Sequence, residues 1–150
     1  SPMRPLRGAL YLHAAAWFGL GLVLALWPRV LQAWLGQPPY PEHAWVRIVG
    51  ILLVGASLQM VLVGHRVEEL WWWSWSFVFT TGSVAALLTL NAAFGVPEGG
   101  ASTVWWVLAL AHWGLASLLL LAMQRAATER PLDRHRPAPA RDPHPRRPRR

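Results

Sequence analysis

The chain has 150 residues, 54% of them hydrophobic, and a formal net charge of +7; it contains neither cysteine nor lysine. Its length argues for one compact unit, and the missing cysteine excludes disulfides, thiolate metal sites and cysteine nucleophiles. So apolar a chain must segregate its charge, and residues 125–150 hold nine of the fourteen arginines against Glu129, Asp133 and Asp142.

A membrane helix needs about 20 mostly apolar residues to cross a hydrocarbon layer of about 30 Å. The first such run lies between Arg7 and Arg29. It has a basic start but is too long for the apolar region of a signal peptide and lacks a small-x-small site before Pro28, so it reads as a retained helix. After it, Val30, Leu31, Trp34 and Leu35 fall at helical spacing, which predicts a short helix over 28–36 lying on the outer membrane surface. Gln37-Pro38-Pro39-Tyr40-Pro41 then breaks it. A second run follows Arg47 and ends at His65, a third lies between Glu69 and Glu98, and a fourth between Glu98 and Arg125. These place helices near 7–27, 45–65, 71–94 and 103–125. None shows the polar stripe of a soluble helix. Residues 65–70 make a tight inner turn and 95–100 an outer one, punctuated by glycine and proline.

The expected fold is therefore all-α: an integral membrane four-helix bundle over 1–127, followed by an Arg/Pro-rich tail over 128–150. The tail is too polar to offset its ordering entropy and is expected to be disordered alone. Arg4, Arg7, Arg66 and the tail all fall to one side, which orients both termini to the cytoplasm. Trp27, Trp34, Trp45, Trp105 and Trp106 mark the outer boundary and Trp71, Trp72, Trp73 and Trp75 the inner one, where amphipathic indoles favour the headgroup zone. Arginine as the sole base and Asn91 as the sole asparagine point to a GC-rich bacterial source, hence to the bacterial inner membrane.

All seven carboxylates lie in loops, at helix ends or in the tail. A proton-coupled transporter keeps a titratable carboxylate near mid-membrane, so that class is disfavoured. His13 and His112 are the ionisable residues inside spans, and two neutral imidazoles could ligate haem iron or one a chlorin magnesium. At 1.5 Å per residue, His13 lies about 9 Å inside its helix and His112 about 18–20 Å above Arg125. One haem bridging both is therefore awkward. Ala109, His112 and Ala116 share a face, and Ser76, Thr80, Thr81, Ser83 and Thr89 of the third span offer hydroxyl partners. A hydrogen-bonded structural histidine and a ligand both stand as readings, and no cofactor is required by either. His65 with Glu68 and Glu69 has metal-like spacing, but Arg66 competes for the carboxylates and no metal site is expected.

Ala15 with Gly19, Gly21 with Ala25 and Gly82 with Ala86 are small-xxx-small pairs of the kind that brings membrane helices together; Gly50 and Gly55 thin the second span. The indoles of Trp71, Trp72, Trp73 and Trp75 point around much of their helix, either as interfacial anchors or as a contact with another subunit or a flat ligand. Arg146, Arg147, Arg149 and Arg150 suit anionic lipids at about 1 kcal/mol each, or a larger partner that orders the tail. Nucleic acid is not the expected partner.

Pro28-Arg29 after the first span, Leu35-Gly36 before a proline-rich loop, and Trp45-Val46-Arg47-Ile48-Val49-Gly50 opening the second span resemble the small bacterial four-helix membrane proteins related to DoxX. The resemblance covers nearly two thirds of the chain, and the tail and the tryptophan run lie outside it. It implies a four-helix membrane fold and brings no catalytic set. Three functions are expected in descending order: an accessory subunit, without catalysis, of a larger membrane complex such as a respiratory or photosynthetic one; a stand-alone binder of a quinone, lipid or tetrapyrrole; a small membrane enzyme or transporter.

Overall fold

The computed structural model describes residues 1, 3–37, 43–98 and 100–129. Its elements are α1 (Arg4–Leu26), α2 (Pro28–Trp34), α3 (Ala44–His65), α4 (Val67–Leu70), a 3-10 turn (Trp71–Trp73), α5 (Ser74–Leu90), a π-helical turn (Asn91–Gly95) and α6 (Thr103–Glu129). No strand occurs among the described residues. Four stretches, Arg4–Leu26, Ala44–His65, Val67–Gly95 and Thr103–Glu129, are long and apolar enough to cross a membrane.

Local chemistry sets the ends. Pro28 opens α2, where its missing N–H costs nothing, and it pushes Trp27 out of helical geometry (φ −129°, ψ 57°). The chain leaves α2 through Gly36, whose φ of +67° is a left-handed conformation that glycine adopts without strain. The Gln37 N–H then donates back to the Gln32 carbonyl at 2.9 Å and the Gly36 N–H to Ala33 at 3.1 Å, closing the end as a Schellman-type cap.

The largest departures from the expected boundaries lie in the third and fourth spans. The third span begins at Val67 rather than 71, with Arg66 alone separating it from α3. Glu68 and Glu69 sit in its first turn, where carboxylates favour a helix N-terminus. The span then tightens to a 3-10 turn at the tryptophans and loosens to a π turn at its far end. The fourth helix runs to Glu129 rather than 125, because Gln124, Ala126 and Ala127 are compatible with helix and Ala126 is fully buried. The rest of the tail, with Arg146, Arg147, Arg149 and Arg150, lies outside the described residues.

Helix α1 organises the packing. It lies along α3 and also touches α6, while α6 packs mainly on α5; α3 and α5 meet only sparingly. The core gathers where the N-terminus, the α3–α4 turn and the end of α6 converge, around Leu6, Leu10, Met60, Val67, Leu119 and Met123. At the other end, α1 and α3 approach backbone to backbone. A Cβ on Gly21 would stand 2.7 Å from the Gly50 carbonyl oxygen, and one on Gly50 2.6 Å from the Ala25 nitrogen. In lipid, such close approach supplies the van der Waals contact that holds helices together. The Arg47 guanidinium donates to the Ala25 carbonyl at 2.8 Å and Arg7 to the Gly64 carbonyl at 3.0 Å, clamping the pair at both ends.

Candidate functional site

The two intramembrane histidines converge on one indole. His13 and Trp17 are one turn apart on α1, and their rings meet edge to face with centroids 5.1 Å apart. The Trp17 Nε1–H donates to His112 Nε2 of α6 at 3.3 Å. His112 Nδ1 lies 2.7 Å from the Leu108 carbonyl, and a carbonyl can only accept, so Nδ1 carries the proton and Nε2 offers its lone pair to the indole. From α5, Thr81 Oγ1 lies 2.9 Å from His13 Nε2. His13, Trp17, Thr81 and His112 are all buried, and together they tie the first span to the third and the fourth.

This geometry limits the chemistry. Both in-plane positions of His112 are occupied, and the lone pair that would bind iron or magnesium is given to Trp17. A haem or chlorin ligated there would first have to displace the indole. His13 keeps one ring nitrogen, Nδ1, without a partner in the buried interior. The five hydroxyls expected for His112 go elsewhere: Thr81 to His13, Ser76 to the Trp73 carbonyl, Thr80 to the Ser76 carbonyl and Thr89 to the Ala85 carbonyl, while Ser83 stands exposed. Thr89 also receives the Trp113 N–H at 3.0 Å. Only one signal could have found Trp17 as the missing partner, its place well inside the first span a turn from His13.

At the α3–α4 turn, Arg66 pairs with Glu69 and the Ser1 hydroxyl donates to Glu68 at 3.5 Å. No group of three metal-ligating side chains occurs among the described residues.

The small-residue pairs divide between inside and outside. Gly21 and Ala25 meet Gly50 internally, whereas a Cβ on Gly19, Gly55 or Gly82 would meet nothing within 4 Å. Ala15 and Gly19 are exposed on α1. On α5, Phe79, Gly82, Ser83, Ala86 and Leu90 recur at i, i+3, i+4, i+7 and i+11, the spacing of one helix face, and Phe79 and Leu90 are exposed. Trp72, Trp73 and Trp75 stand exposed beyond one end, with Trp72 and Trp73 stacked 5.1 Å apart, and Phe94 beyond the other.

A second feature, absent from the sequence reading, is a cleft of about 400 Å³ among α1, α2 and α3, lined by Leu24, Leu31, Gln32, Val46 and Val49 among others. No family model, curated protein or solved structure matches the chain.

Proposed function

We propose that this chain is a non-catalytic subunit that docks laterally against other proteins of a bacterial cytoplasmic membrane, with both termini on the cytoplasmic side. The observation that carries this reading is the outward face of α5. Gly82 with Ala86 leaves a shallow notch with open space above it, bracketed by Phe79 and Leu90 on the same face. A notch of this kind admits the bulky side chains of a neighbouring helix to close range. The stacked Trp72–Trp73 pair extends the surface with flat aromatic area, which suits protein contacts. The intramembrane imidazoles support the same reading, since they are spent on tying spans together rather than lining an opening. The resemblance to DoxX-related proteins fits a small four-helix membrane fold and adds no activity. On this reading the basic tail holds anionic lipid or the partner's cytoplasmic surface.

The test is gentle extraction from native membranes, sizing, and identification of co-eluting proteins. The wild-type chain is expected in a stoichiometric assembly with other proteins. Gly82→Leu is expected to release it as a monomer of unchanged thermal stability, because a Cβ at that position meets nothing within 4 Å inside the protein. A wild-type chain that elutes alone overturns the reading.

A further inference from the structure

The cleft among α1, α2 and α3 is an unassigned site, and its chemistry is specific. Leu24, Leu31, Val46 and Val49 make an apolar wall, while Gln32 and Gln37 supply carboxamides. About 400 Å³ falls within the range of small-molecule sites, which are mostly apolar with a few placed polar groups. The second observation is Gln32 itself. It is only 9% exposed, and its Oε1 is enclosed without a hydrogen-bond partner. A leucine would fill that position at no polar cost; a buried amide oxygen calls for a donor. Gln32 is itself one of the residues that line the cleft.

The scaffold around Gln32 is fixed. Its carbonyl caps the end of α2 by accepting from Gln37, and the neighbouring Leu35 carbonyl receives the Trp105 N–H from α6 at 3.1 Å. Among the described residues, none that lines the cleft is charged. The nearby guanidiniums are engaged elsewhere, Arg29 on His43 at 3.3 Å and Arg47 on the Ala25 carbonyl. We propose that this cleft binds an uncharged membrane lipid with a free hydroxyl in its head. The hydroxyl donates to Gln32, an ester oxygen beside it accepts from a carboxamide, and the first part of the acyl chain lies along the apolar wall. This goes beyond docking through α5 and uses a different face of the protein.

Trp45, which also lines the cleft, is the reporter. The full chain is placed in phosphatidylcholine nanodiscs and titrated with diacylglycerol brominated near the head. The signal is the quenching present in wild type and missing in Trp45→Phe. Saturable quenching is expected, with the O-acetylated analogue and brominated phosphatidylglycerol each at least tenfold weaker. Gln32→Leu should lower the alcohol to the level of its acetylated analogue, and Val49→Phe, which fills the cleft, should remove binding of both. Three results overturn the proposal: no saturable quenching in wild type, acetylated or anionic lipid binding as tightly as the alcohol, or undiminished binding by Gln32→Leu. The wild-type titration decides the matter even where a variant does not fold.

Discussion

A buried imidazole between helices stands or falls by its two nitrogens, and His112 has both satisfied. Replacing it by alanine leaves the Trp17 N–H without an acceptor and opens a void. The expected loss is about 2–4 kcal/mol, combining a stranded donor with a core cavity, read by thermal or denaturant unfolding in detergent. In a double-mutant cycle with Trp17→Phe, the two losses should be less than additive by about 0.5–2 kcal/mol. Additive losses would mean that the bond contributes nothing. Thr81→Val keeps the volume but removes the partner of His13 Nε2, and should cost about 1–3 kcal/mol, whereas Thr81→Ser should cost well under half of that. At this scale the sequence was half legible. Ionisable residues inside apolar spans identify themselves, but their partners depend on the rotation of three helices, which aliphatic sequence does not encode. That is why Thr81 belongs to His13 and an indole to His112.

Elements were more legible than contacts. Apolar runs between charges placed all four long helices to within about four residues, because membrane thickness imposes a length that few other constraints contest. The misplaced ends have local causes: glutamates that extend the third span backwards, and helix-compatible residues that carry α6 to Glu129. Small-residue pairs identified themselves as close-approach surfaces without saying which approach was internal. Gly50 and Gly55 differ sharply on this point. Gly50→Ala would press a methyl against the α1 backbone, and overpacking of this kind should cost about 1–3 kcal/mol. Gly55→Ala enters open space and should be neutral or stabilising by up to about 1 kcal/mol, since glycine is a poor interior helix residue. Unfolding of the two variants side by side checks the split; equal effects would place the α1–α3 contact elsewhere.

For the whole molecule, the proposed orientation makes a sharp demand. Arg4, Arg7, Arg66 and the tail must share one side, so external protease on intact cells should leave both termini uncut, while inverted vesicles should lose the tail. Cleavage of the tail from outside would reverse the assignment. The unequal partnership of the spans also bears on synthesis. The first two can zip through Gly21 and Gly50 as soon as the second has emerged from the ribosome. The third has little to hold it until α6 arrives. Thr81 comes to His13 with the third span, but Trp17 waits for His112, its N–H without that acceptor in a chain half made. That one hydrogen bond is therefore made last: a chain that stalls before its final helix keeps a bare indole N–H among its apolar spans, and only the finished chain hides it.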